Sequence, residues 1–574
     1  MKHILPVLCL ATVTAPAAAQ ARGPLSAKES VQPAIRFVDA TEAAGLDFVH
    51  IRGGTSPVVI YEEMGPGAAL FDYDGDGDLD LYLVQAAWRR MPDPEGRPQP
   101  TNRLYRNEGP GVDGVPQFTD VTGKAGVGDT GFGLGVATGD MDNDGDQDLY
   151  VTNYGDNVLY QNQGDGTFVD VTTIAGVADP LMSHSAAFAD VDGDGYLDLY
   201  VANYLDFESG PSFCDFEGTR YGCSDLKYSG LPNSLFLNQG PGKDGIPRFR
   251  EAAKERGVQD PDGRGLGVTL GDLDDDGDLD LYIANDGGSN RLLLNDGKGS
   301  FKDWTLISGT GYSEAGMGEA GMGTALGDFN NDGRLDIIVT NFAREFNALY
   351  RNDGGGIFTY ASVMAQLHRS TYLPLGWGTR FFDADLDGDD DLFVANGHLY
   401  EQAPILNPQD SFRQTNQLFR NNGGGTFTDI SAEAGPGLAV AHSSRGVALG
   451  DIDNDGDLDI YVANHHGRGQ LLLNETQRDG RHSLRLLLTG GPSNRDAIGS
   501  RISIQAGGLT LVRQLTAGGS YLSQGDHRLL VGIGTARVAQ VEVRWPSGAV
   551  QKFPDLPADT LVHLQEDRTG KGSP

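Results

Sequence analysis

The stretch FDYDGDGDLDLYLV, residues 71–84, sets five aspartates into nine positions and then enters an apolar run. Bare carboxylates 4 Å apart repel by about 4 kcal/mol per pair even at an effective dielectric of 20. A folded chain keeps such a loop when a cation neutralises it. Written as D-x-[DN]-x-D-G-x-x-D, the loop occurs seven times, with starts 68, 50, 82, 56, 55 and 68 residues apart.

Calcium takes about six to eight oxygen ligands, and four positions of each loop carry side-chain oxygens. Position one is Asp72, Asp140, Asp190, Asp272, Asp328, Asp383 and Asp451; position three is Asp74, Asp142, Asp192, Asp274, Asn330, Asp385 and Asp453. Position five is Asp76, Asp144, Asp194, Asp276, Asp332, Asp387 and Asp455; position nine is Asp80, Asp148, Asp198, Asp280, Asp336, Asp391 and Asp459. Position six is always Gly, for a sharp turn. Position seven varies (Asp78, Asp146, Tyr196, Asp278, Arg334, Asp389, Asp457), so only its carbonyl is expected to ligate. An EF-hand needs Glu at position twelve; here that position is Leu83, Val151, Val201, Ile283, Val339, Val394 and Val462. Magnesium, which demands tight octahedral geometry and keeps its waters, suits the loops less. The spacing predicts up to seven Ca²⁺.

The surrounding unit repeats with the loop: a small-residue segment, the loop, "DLYV", "LYRN", then "F.DVT..AG". Four short strands per unit and spacings in the 50s predict an all-β fold, a seven-bladed β-propeller over 36–476. "RFVDATEAAG" (36–45) precedes the first unit, while the last unit lacks its fourth strand. The N-terminal strand is expected to complete blade seven and remove an open edge. Five residues before each loop stand Gly67, Gly135, Ser185, Gly267, Gly323, Gly378 and Gly446, as crowding of innermost strands about an axis requires.

These loops and units resemble the FG-GAP/VCBS repeats of integrin-α-like propellers. Residues 481–566 carry "SNRDAIGSRI", "GGSYLSQGDHRLLVGIG" and "VEVRWPSG", which look like the ASPIC/UnbV domain that follows such propellers in the cartilage acidic protein family. The resemblance implies an exported calcium-binding protein. Some relatives in natural-product pathways imply a cofactor-free enzyme as the alternative. No RGD tripeptide occurs, so integrin-like adhesion does not carry over. Alternating apolar residues in "SLRLLLTG", "SRISIQAG" and "LTLVRQL" independently predict a small C-terminal β-sandwich-like module. Arg495, Asp496 and Arg501 there are either ligand contacts or local turn and ion-pair residues.

A net charge of −37 argues against nucleic acid or anionic lipid as partner. Lys2 and His3, an apolar run Ile4–Val13, and small Ala17 and Ala19 read as a signal peptide over 1–21, followed by a linker, 22–35. Residues 567–574 read as a disordered tail. The predicted location is secreted or periplasmic, with no membrane span. Cys214 and Cys223 are then expected to form a disulfide.

If the first strand of each blade ends at its loop, the long insertions 85–101, 204–233 and 397–415 emerge at the opposite face. That mouth gathers candidate catalytic groups His184, His442, Arg445, Glu62 and Glu63, and candidate ligand contacts Trp377, Arg380, His50, His398, Tyr221 and Tyr228. "NHHGRG" (464–469) has adjacent histidines, a weak metal pattern. Nucleophile-elbow, zinc-protease, P-loop and haem motifs are missing from the sequence. The expected function is binding or adhesion toward a carbohydrate, peptide or cell-surface ligand; the alternative is acid/base chemistry on a small molecule without a cofactor.

Overall fold

The computed structural model describes residues 34–54, 58–88, 96–111, 113–216 and 218–567. The expected signal peptide, most of the expected linker and the tail from 568 lie outside the described residues. The described chain is all-β apart from short helical turns, and no helix in it is long and apolar enough to cross a membrane.

Among the described residues, seven antiparallel sheets follow one another, six of four strands and the fourth widened to five by Ala517–Gly518. Their first strands are Ala68–Phe71, Phe132–Gly139, Ser183–Ala189, Gly265–Gly271, Thr324–Gly327, Gly376–Phe382 and Ser444–Gly450. Each lies against the first strand of the next sheet, and Ser444–Gly450 lies against Ala68–Phe71. The seventh sheet takes its fourth strand from the N-terminus: Phe37 pairs with Asn474 and Asp39 with Leu472. Four-residue helical turns follow several fourth strands and stop at glycines with φ near +80°, such as Gly126 and Gly176, which explains the "..AG" of the repeat.

The asparagine of each "LYRN"-type strand ties neighbouring sheets together. Its side-chain amide donates to a loop carbonyl of its own sheet and to one of the preceding sheet. Asn162 reaches Tyr73, Asn238 reaches Met141, Asn295 reaches Val191 and Asn352 reaches Leu273. Asn421 reaches Phe329, Asn474 reaches Ala384, and Asn107 returns to Ile452. These seven links run through all the sheets and come back to the first.

Beyond them, strands Ser483–Thr489, Leu529–Gly532 and Leu561–Gln565 form one sheet, with Ser483–Thr489 and Leu561–Gln565 parallel. Arg501–Ala506, Leu509–Gln514, Val538–Arg544 and Val550–Pro557 form another, and the two share an apolar core around Trp545. This module is not merely appended. Its segment 517–526 enters the space between the first strands and bonds to all seven sheets. Thr269 pairs with Gly518, Ser520 N–H donates to Thr324 O, and Val447 N–H donates to Ser520 Oγ. Arg380 Nη1 donates to Gly518 O, Leu522 N–H donates to Ser185 Oγ, Val136 N–H donates to Leu522 O, and Gln524 N–H donates to Ala68 O. A Cβ on Gly67 would stand 1.9 Å from Leu522 O, and one on Gly446 2.0 Å from Ser523 Oγ. The bare face of the first strands thus receives a foreign segment as well as neighbouring strands.

Candidate functional site

In every loop the position-nine aspartate locks the backbone, one oxygen accepting the N–H of position two and the other the N–H of the "LYRN" asparagine. For Asp80 these donors are Tyr73 and Asn107, at 3.0 and 2.8 Å; for Asp391 they are Ala384 and Asn421. In five of the loops position one accepts the N–H groups of positions five and six, as Asp140 does from Asp144 and Gly145. Oxygens of Asp72, Asp74 and Asp80 lie within 4.8 Å of one another, as do those of Asp140, Asp142 and Asp148, and of Asp383, Asp385 and Asp391. Asp190, Asp192 and Asp194 converge likewise, and so do Asp272, Asp274 and Asp276. Burial pushes Asp80, Asp140, Asp280 and Asp336 up to about 8, and Asp383 and Asp391 well above the ordinary range. Asp74 Oδ1, Asp192 Oδ1, Asp272 Oδ1 and Asp385 Oδ2 are buried with no hydrogen-bond partner. Convergent, desolvated, oxygen-only donors fit a hard divalent cation. The fifth loop departs from the rest: its own Arg334 folds back on Asp332 at 2.6 Å.

The C-terminal module lays arginines on this end. Arg544 reaches Asp272 at 2.8 Å, Arg485 reaches Asp451 at 2.8 Å, and Arg481 reaches Asp385 at 2.7 Å. Arg513 pairs with Asp390 at 2.8 Å, Arg478 reaches Asp455 at 3.0 Å, and Arg528 donates to Gly77 O. Arg501 donates to Gly333 O, Asp496 accepts the N–H of Asp140, and Arg495 lies 3.7 Å from Asp140. The module's arginines therefore meet six of the seven loops. The third loop, 190–198, meets the module's backbone near Pro492.

At the opposite end, the insertion 204–233 folds over the axis, with Cys214 and Cys223 disulfide-bonded. Cys223, Tyr204 and Tyr228 are buried in an apolar cluster with Tyr61, Trp377, Tyr521 and Leu522. The sequence placed an open aromatic mouth here; the insertion's aromatics instead form a packed lid, because apolar rings over an apolar axis bury one another. Tyr228 donates to Pro211 O, while Tyr221 is half-buried, 5.7 Å from Tyr400.

The candidate groups divide. Arg445 is fully buried, its guanidinium 4.0 Å above the Trp377 ring, and it donates to the carbonyls of Glu63 and Ser444 and to Ser443 Oγ. Trp377 donates to Gly397 O and lies 4.9 Å from Tyr521. Glu63 Oε2 stands 3.2 Å from His465 Nε2, and the rings of His465 and His50 are 5.5 Å apart. Glu62 turns back to accept the N–H of Val59. His184 packs on Tyr204, and burial pulls it down to about 3; burial holds His398, which accepts the N–H of Tyr400, at about 4. His442 pairs through its backbone with Gln414, and its charged neighbours are Asp39 and Arg413 rather than this cluster. Arg380 points toward the aspartate-loop end, lining a cavity beneath the module.

Three sets of residues escaped sequence reading. His465 was visible only as half of "HH"; the seven asparagines were visible in each "LYRN" but carried no carboxylate to draw notice. Tyr521 and its neighbours sat in a C-terminal signature with nothing local to tell where they go.

The description FG-GAP-like repeat matches residues 72–151, 140–201, 272–339, 328–394 and 405–462, more than half of the chain. A second, ASPIC and UnbV, matches 490–571. The chain belongs to the FG-GAP-like repeat family and carries an ASPIC and UnbV module. It is similar to Cartilage acidic protein 1 of Xenopus tropicalis, 24% identical over 357 residues, covering 58% of this chain and 52% of the relative. The Homo sapiens protein is 26% identical over 359 residues, covering 58% and 51%. The chain thus spans about half the length of these curated relatives. Among solved structures, an Agrocybe aegerita lectin recognising non-reducing terminal N-acetylglucosamine aligns at TM-score 0.34 and 17% identity, covering 64% of this chain and 79% of that one. BBS1N in complex with ARL6DN aligns at TM-score 0.36 and 10% identity, covering 77% and 98%. At such scores neither bears on what this chain binds.

Proposed function

We propose that this is an exported, calcium-stabilised seven-bladed β-propeller, capped at its aspartate-loop end by a β-sandwich-like module, and that it binds an extracellular carbohydrate, peptide or cell-surface partner through the other end. The observation that carries this reading is the occupancy of one end: the module covers six loops with arginines, leaving the disulfide-braced insertion and its neighbouring connections to meet a partner. Calcium supplies the charge neutralisation that holds first and second strands together at each loop. Glycan and peptide array binding by the full chain, with calcium and with chelator, tests the proposal. Binding that depends on calcium and falls in a Tyr221→Ala variant supports it; an array signal unchanged in that variant and in chelator counts against it.

A second reading, a cofactor-free enzyme, is favoured by one contact. His465 Nδ1 must carry a proton, because it lies 3.1 Å from the carbonyl of Gly65. Its Nε2 is then a lone pair 3.2 Å from Glu63 Oε2, neither atom having a hydrogen-bond partner, and two acceptors tolerate that distance only when Glu63 is protonated. Burial raises Glu63 to about 7, with Arg445 and Arg52 opposing and Glu401 reinforcing the rise. His50 accepts the N–H of His466 at Nδ1 and so presents Nε2–H beside the pair. A buried pair holding one proton is suited to act as acid or base. Histidine ¹⁵N spectra showing an Nε2–H tautomer for neutral His465 would remove this reading.

A further inference from the structure

Inside the ring of first strands, between them and the C-terminal module, lies a cavity of ≈ 190 Å³. Arg380 projects into it from the sixth sheet's first strand. Its Nη1 donates to Gly518 O at 3.1 Å, while Nε and Nη2 are buried without a hydrogen-bond partner. The other charged groups lining the cavity each have a charged or backbone partner, with one Arg528 nitrogen, Nη2, left over. Arg513 pairs with Asp390 and Arg528 with Asp526, both within 2.8 Å. Asp328 and Asp383 accept the N–H groups of their own loops and belong to the proposed cation sites. His527, also on the wall, lies 3.5 Å from Thr138 Oγ1. Among the described residues Arg380 forms no ion pair, and desolvation alone pulls it down to about 10.

An uncompensated buried guanidinium is strongly destabilising, and its planar fork matches a carboxylate or phosphate edge. Arg445, one sheet along and fully buried where Arg380 is partly so, shows the satisfied alternative, with carbonyls around it and an indole beneath it. Arg380 has two fork donors left over, and its side chain lines the chamber.

We infer that this chamber is a binding site for a small oxyanion, a carboxylate or phosphate group held by Nε and Nη2 of Arg380, with Arg528 Nη2, also without a partner, available as a further donor. The occupant bridges propeller and module, because the chamber wall includes both Phe382 and Gln514. It is also a companion of the divalent ions, since Asp328 and Asp383 repel an anion unless their charge is neutralised.

The test uses the calcium-loaded full chain in chloride buffer at constant ionic strength, titrated separately with acetate, inorganic phosphate and further chloride. The expected result is a saturable rise in melting temperature and a saturable calorimetric signal with one or both oxyanions. A response to acetate alone assigns a carboxylate and to phosphate alone a phosphoryl group; chloride alone, or none of the three, overturns the inference. Arg380→Met should abolish the response and melt above wild type in oxyanion-free buffer, because a bare buried charge is gone. Arg380→Lys, which keeps charge and loses the fork, should bind at least tenfold more weakly. A variant with undiminished response overturns the assignment to Arg380, and the wild-type titrations stand even if a variant does not fold.

Discussion

The two ends of the ring bury ionisable groups in different ways. At the aspartate-loop end carboxylates crowd together, and burial raises nearly all that it touches. Apart from the fifth loop's own Arg334, positive charge comes to them from outside, as arginines of the C-terminal module at six loops and, in our proposal, as calcium. At the other end single groups are buried apart, and each is quietened locally. Arg445 is satisfied by carbonyls, His184 and His398 are held neutral, and burial raises Glu63, which stands 3.2 Å from His465, to about 7. Crowded like charges need a multivalent cation; an isolated group settles for a dipole or a proton.

The sharpest way to break this contrast is to remove divalent ions. Each site filled at a hundred times its Kd contributes about 2.7 kcal/mol, so excess chelator should lower the melting temperature by far more than any single substitution. An unchanged melt would put the loop end on the same footing as the other. Next in size, Tyr521→Ala empties a fully buried ring at the axis and should cost about 3–5 kcal/mol in urea unfolding. A loss confined to the module's own transition would show that the inserted segment does not couple the two.

Glu63→Gln probes the proton-based end. Its folded value near 7 lies above the unfolded 4.5, so the folded state binds the extra proton and wild-type stability falls as pH rises between those values. The difference is about 3 kcal/mol at 1.36 kcal/mol per unit. The variant should lack that slope when stability is followed from about pH 4.5 to about pH 8. A wild-type profile that rises relative to the variant over the same window would reverse the assignment. Smallest, Cys214→Ser opens a bridge across nine residues and should cost about 2–3 kcal/mol, loosening the lid to proteolysis without changing calcium stoichiometry.

How much of this was legible beforehand follows from the range of the interactions. The loops could be read because their aspartates sit within nine residues and their spacing carries the proposed chemistry. The pairing of Phe37–Asp39 with Gln470–Asn474 followed from counting strands. His465 joins Glu63 across 402 positions, as a shared atom-to-atom contact; no periodicity encodes it. Arg445 was read as a catalytic candidate and Arg380 as a ligand contact at one mouth, yet Arg445 meets carbonyls and an indole while Arg380 lines a chamber at the other end. What separates them is Gly518–Tyr521, supplied from well over a hundred residues downstream of Arg380.

That axial segment also sets a timetable. Residues 517–526 leave the ribosome after every one of the sheets they touch, while Phe37, whose partner is Asn474, leaves first. The nascent protein must therefore wait with its hub vacant, even once Asn474 has met Phe37, until residues 517–526 are released.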